Sequence, residues 1–111
     1  MAGFALEIAE RDGLTVLRVI GSVDLTTAPD LRERLIELVT EGRLRIVVDL
    51  TDTDFLDSTG LGALVGALKR LRAKDGDLQL VCGPGAVRRV FAITSLDRVF
   101  AIHDTVDEAL G

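Results

Sequence analysis

Aromatic side chains are scarce. There are four Phe and no Trp or Tyr among 111 residues, which leaves few flat faces on which bases or sugars could stack. Cysteine occurs once, at Cys82, so no internal disulfide can form and the chain suits a reducing compartment. No apolar run is long enough to span a bilayer, and the opening MAGFALEIAERDG turns acidic too early for a secretory leader. A basic stripe is missing too: 13 Lys and Arg are scattered among 18 acids for a net charge of -5, so nothing reads as a nucleic-acid footprint. What is present is 48% hydrophobic sequence, enough for one domain, 1–111, with a real core. No repeat, linker or low-complexity segment divides it. Composition alone predicts a small, acidic, cytoplasmic domain.

Apolar periodicity orders the elements. Phe4, Leu6 and Ile8 alternate as in a half-buried strand, Arg11 to Gly13 read as a turn, and a second strand follows in which Leu14 and Val16 are set apart from Leu17 and Val19. So tight a connection predicts antiparallel neighbours. Thr27 with Asp30 resembles a capping box, with Pro29 tolerated in the first turn, and Leu31, Leu35, Leu38 and Val39 recur at helical spacing until Gly42. Arg43 to Leu50 is almost unbroken apolar sequence, as expected of a central strand covered on both faces. The stretch after it reads as an acidic loop. A helix is predicted from about Ser58 to Ala73, facing inward through Leu61, Leu64, Val65, Leu68 and Leu71. Then come a strand over DLQLVC, a helix with Pro84 near its first turn and Val87, Val90 and Phe91 inward, a short strand over Val99 to Ile102, and a last helix capped by Asp104 or Thr105. The sum is an α/β fold in a single domain, a mixed β-sheet of four to five strands with about four helices.

Most chemical readings of these residues fail. A nucleophilic serine needs a base and an oxyanion site, yet the only histidine, His103, lies far along the chain from Ser58, and DSTGLG is not a nucleophile elbow. Asp49, Asp52, Asp54 and Asp57 crowd one strand end and could in principle suit Mg²⁺, but solubility and turn formation account for them. Gly60, Gly62 and Gly66 lack the lysine of a phosphate loop. Cys82 reads as a small buried hydrophobe. No enzyme, cofactor or metal site is expected.

Ser58 is left as an acceptor at a helix start. With Asp57 or Ser58 as cap, the third helical position is Gly60 or Leu61, and neither can return a side-chain bond. Open N–H groups are therefore expected there, at the positive end of the helix dipole. A phosphate on Ser58 would add about -1.5 to -2 charge to an acidic patch. Beside it, Gly62, Ala63, Gly66 and Ala67 predict a bare outward strip on which a neighbour could sit closely. Asp24, at another strand-to-helix turn, would join Ser58 if the two strands are adjacent.

In this order, GSVDLTTAPDLRERL, IVVDLTDTDFLDSTGLGALVGALKRLRAKDGDLQLVC and VRRVFAITSLDRVFAI resemble the STAS domain of bacterial anti-sigma-factor antagonists, from about Ala5 to Leu110. The D-[FL]-x-D-S-x-G-L-G core is fairly specific. The resemblance implies an anti-anti-sigma factor, a phosphoprotein of transcription regulation in the stress response. It would bind an anti-sigma factor that is a serine kinase with a GHKL-type ATP-binding fold, and so free the sigma factor. That kinase would phosphorylate Ser58 and weaken the complex, and a PP2C-like phosphatase would restore it. Asp24 matches the acid of the family's G-x-[LIV]-D loop, Asp57 the acid before the acceptor, and Thr59 stands where a second serine is common. The implied partner surface is Asp24, Asp57, Ser58, Thr59, Gly60, Gly62, Ala63 and Gly66, with no direct contact to nucleic acid or membrane. The alternative is the same module in a stressosome-like scaffold or in a lipid or anion transport complex.

Overall fold

Asp12 and Gly13 both take positive φ, 53° and 82°, the backbone that a two-residue hairpin requires. They join β1 (Ala5–Arg11) to β2 (Leu14–Val23) as antiparallel neighbours, in register from Ala5↔Ile20 to Arg11↔Leu14. The structure is a computed structural model that describes residues 3–111. Met1 and Ala2, which open the stretch read as no leader, lie outside the described residues.

After β2 come α1 (Ala28–Thr40), β3 (Arg45–Asp49), β4 (Thr53–Leu56), α2 (Ser58–Arg72), β5 (Asp77–Val81), α3 (Ala86–Ile93), a 3-10 turn over Leu96–Arg98, β6 (Ile102–His103) and α4 (Val106–Leu110). The sheet runs β1-β2-β3-β5-β6, and every pairing except β1 with β2 is parallel. Ile46, Val47 and Val48 of β3 are at most 1% exposed, as a strand covered on both faces should be. The alternation of β2 is also borne out: Leu17 and Val19 enter the main core, whereas Leu14 and Val16 join Val47, Val81, Val106 and Ala109 on the opposite face under α4. α1, α2 and α3 supply the main core through Leu31, Leu35, Leu64, Leu68, Leu71 and Phe91.

Five local expectations are corrected. The segment read as an acidic loop contains a sixth strand, β4, parallel to the upper half of β2. The first ladder of β2 is taken by β3 at Thr15 to Arg18, and its remaining residues need a partner of their own. The strand expected over Val99 to Ile102 starts later. Phe100 is drawn into the core against Phe91, ring centroids 6.1 Å apart and nearly perpendicular, so the chain curls through the 3-10 turn before it can extend. The capping box at Thr27 does not form: Thr27 Oγ1 donates to the Ser22 carbonyl at 2.8 Å and accepts from the Asp24 N–H at 2.9 Å. Pro84 precedes Gly85, the cap of α3, and so stands outside its first turn. Ile8 is 40% exposed, because β1 is an edge strand and only Phe4 and Leu6 reach the core. At the other end Thr105, one of the two expected caps, accepts from the Glu108 N–H at 3.2 Å.

Candidate functional site

β4 places the site. It pairs with β2 through Val23↔Leu56, and one residue on the Asp57 N–H donates to the Val23 carbonyl at 3.1 Å. The turn that leaves β2 and the turn that starts α2 therefore stand side by side, which brings Asp24 to Asp57, Ser58 and Thr59. Each turn is built on a carboxylate. Asp57 Oδ1 accepts from the N–H of Thr59 at 2.9 Å, from the N–H of Gly60 at 3.2 Å and from the Thr59 hydroxyl. Asp24 Oδ1 accepts from the N–H of Thr26 at 2.9 Å and of Thr27 at 3.2 Å, with the Thr27 hydroxyl at 3.4 Å.

None of the Asp57 bonds goes to Ser58, which is exposed at the first position of α2. The open N–H groups expected there are largely absent, because Asp57 itself satisfies Thr59 and Gly60. The anion that suits the helix end is already in place. Asp57 is held below its ordinary value first by the Thr59 hydroxyl; burial opposes this next, and the Gly60 and Thr59 N–H groups each add a smaller lowering. A phosphate on Ser58 would meet a charged cap instead of an empty cradle, and would be turned outward.

Gly60 is buried, and a Cβ there would stand 2.7 Å from Val23 Cγ1 and overlap Leu56. Its smallness serves contact between the helix and the two strand ends. Ala63 and Ala67, expected on an outward strip, are 8% and 4% exposed: α1 packs along this side of α2, so only Gly62 and Gly66 stay accessible, and nothing lies within 4 Å of a Cβ at either. Between the two helices runs a groove of about 700 Å³, lined by Thr59, Gly62 and Gly66 on one side and by Leu25, Pro29 and Ile36 on the other. Leu25, at the mouth of the groove, is 75% exposed. The sequence reading missed it, although one apolar residue inside the polar turn VDLTTAPD was a signal for it. Phe55 on β4 is also half exposed, at 51%.

The remaining chemical candidates do not converge. Asp49 accepts from the Thr51 N–H at 3.0 Å, Asp52 pairs with Arg18, and Asp54 accepts from Ser22 Oγ at 2.8 Å. Among the described residues, no three His, Cys, Asp or Glu side chains are grouped to hold a metal. His103 Nε2 lies 2.7 Å from Gln79 Oε1 on β5, and β3 and β5 separate its strand from β2. Burial pushes the Cys82 thiol up, as befits an inert core thiol. No helix among the described residues is long and apolar enough to cross a membrane.

The STAS domain family model matches residues 5–109. The chain is 38% identical over 109 residues to the anti-sigma-B factor antagonist of Listeria monocytogenes, an alignment covering 96% of this chain and 95% of that protein. Its structure is similar to that of an anti-sigma factor antagonist from Mycobacterium paratuberculosis, with a TM-score of 0.90, 31% identity, and 97% and 92% of the two chains covered. It is also similar to the Bacillus cell fate determinant SpoIIAA in its phosphorylated form, with a TM-score of 0.72, 26% identity, and 97% and 96% covered.

Proposed function

This chain belongs to the STAS-domain family of anti-sigma-factor antagonists, whose domains are regulatory and not catalytic, and from that membership we propose a phospho-switched docking module. In this reading the surface around Ser58 binds an anti-sigma factor with serine kinase activity in the cytoplasm and so releases its sigma factor. Phosphorylation of Ser58 by that kinase ends the complex, and a PP2C-like phosphatase restores it. The observation that carries the reading is the exposed Ser58 hydroxyl between two carboxylate-capped turns, next to an apolar groove that the chain's own side chains leave open. A solved relative exists in a phosphorylated form, which supports a covalent switch of this kind. The phosphate would point away from Asp57, toward the docked partner, and bring about -1.5 to -2 charge onto a desolvated contact, where like charges cost several kcal/mol.

The test is a pull-down from the native lysate with wild-type, Ser58→Ala and Ser58→Glu baits, with partners and bait phosphopeptides read by mass spectrometry. The expected result is a kinase-like anti-sigma factor on the first two baits, its loss on the third, and phosphate on Ser58 of the wild type. Transporter subunits, or partners indifferent to all three baits, would sink the antagonist reading.

A further inference from the structure

We infer that Thr59 is a positioning residue and not a second phosphate acceptor: its hydroxyl is committed to Asp57, and this bond fixes the helix start so that Ser58 alone is presented. The consequence for the switch rests on the proposed function, whereas the bond itself does not. Two neighbouring hydroxyls stand at the same helix end, but they differ in every respect that matters to a kinase. Ser58 is exposed, and none of Asp57's bonds reaches it. Thr59 is half-buried, and its Oγ1 donates to the same Asp57 oxygen that accepts its own N–H and that of Gly60.

An attacking hydroxyl must turn a lone pair toward the incoming phosphoryl group and give its proton to a base. The Thr59 hydroxyl is turned inward, onto a carboxylate that is itself a weak base while three donors hold it. A phosphate on Thr59 would also remove one of those three donors, set a second anion against Asp57, and force charge toward the apolar groove that Thr59 lines with Leu25 and Ala28. On Ser58 the same group points to solvent and disturbs none of these bonds. Thr59 thus decides which of the two hydroxyls is offered.

The experiment uses the full purified chain as wild type, Thr59→Ser, Thr59→Val and Ser58→Ala. Amide exchange at positions 59 and 60 is read by NMR, together with the hydroxyl proton of residue 59. A hydroxyl bond of ordinary worth predicts roughly five- to tenfold faster exchange at both amides in Thr59→Val. It also predicts protection restored in Thr59→Ser and a slowly exchanging hydroxyl proton in the wild type. Equal protection in Thr59→Val and wild type overturns the inference. Phosphopeptide mapping of wild type and Ser58→Ala recovered from the native host gives the second arm, and phosphate on residue 59 in either also overturns it. A wild type without phosphate on Ser58 counts against the switch alone, since the exchange measurements still decide the role of Thr59.

Discussion

The turn into α1 and the turn into α2 are two copies of one device with different loads. In each, an aspartate accepts from the N–H two residues on at 2.9 Å and from the N–H three residues on at 3.2 Å. The Thr59 hydroxyl also donates to Asp57, whereas the Thr27 hydroxyl, 3.4 Å from Asp24, gives its proton to the Ser22 carbonyl. In each, the residue directly after the aspartate makes none of these bonds and is exposed. After Asp24 it is Leu25, and after Asp57 it is Ser58. Because β2 and β4 pair up to these aspartates, an apolar residue and a hydroxyl are displayed on one surface by matching scaffolds. The scaffold therefore says nothing of what is displayed. Under the proposed function, the side chain one position on makes the first turn an anchor and the second a switch, and only the second can take up a phosphate.

The sharpest way to break the comparison is to change the two displayed residues. Ser58→Glu is expected to lower affinity for the anti-sigma factor about a hundredfold or more, because like charge in a desolvated contact costs several kcal/mol. Leu25→Ala should cost about tenfold, the loss of one apolar anchor. Both should leave the urea midpoint nearly unchanged, since both positions are exposed. Titration calorimetry against the partner recovered with the Ser58→Ala bait measures the two affinities. Equal losses at both positions would remove the distinction between anchor and switch.

Glycines of α2 give the next effect, and it is one of opposite signs. Gly60→Ala places a methyl group against Leu56 and Val23, the paired ends of β4 and β2, and should destabilise the fold by about 1–3 kcal/mol through overpacking. Gly62→Ala meets open space and should stabilise the helix by up to about 1 kcal/mol, while it weakens partner binding by filling the groove wall. Urea melts of the two variants read both signs. A stabilising Gly60→Ala would mean that the two turns are not braced by that contact.

The layout of the sheet could be read from the sequence, except where tertiary pairing outweighs local pattern. The unbroken run Ile46, Val47 and Val48 announces a buried strand whatever surrounds it. β4 announces nothing: of Thr53, Asp54, Phe55 and Leu56 only the first and last are buried, and so short a segment is a strand because β2 is long enough to need it. The site shows the same division. The helix start at Asp57 and Ser58 is legible, since an aspartate before an apolar run at helical spacing predicts one, but which of the two is the cap is settled only by the structure, in favour of Asp57. That Asp57 would close the helix end by itself was not legible, because side-chain direction is set only once the turn is folded. Ala63 and Ala67 could equally face α1 or a partner, small residues being suited to close approach of either, and only the packing of α1 decides it. Leu25 is not legible, because a single exposed leucine is ordinary, and it acquires meaning only in the groove it lines with Thr59.

The smallest expected effect tests whether the charge of the second cap contributes anything beyond its hydrogen bonds. Asp57→Asn keeps a side-chain oxygen able to accept from the same N–H groups, and asparagine caps helices about as well as aspartate, but the charge is gone. In the folded chain Asp57 lies below its usual 3.8, held there first by the Thr59 hydroxyl, so the folded state binds its proton more weakly than the unfolded chain does. The charge-dependent stabilisation is then fully present above the ordinary carboxylate range, and it fades as the pH falls through the lowered value. Urea midpoints of wild type and Asp57→Asn should differ in favour of the wild type at neutral pH and converge as the pH falls below the ordinary carboxylate range. Thr59→Val, which removes the largest cause of the lowering, should shift that convergence to higher pH. No gap at neutral pH would mean that a neutral oxygen serves this turn as well as a carboxylate. The negative charge beside Ser58 would then matter only to what docks on it or is added to it.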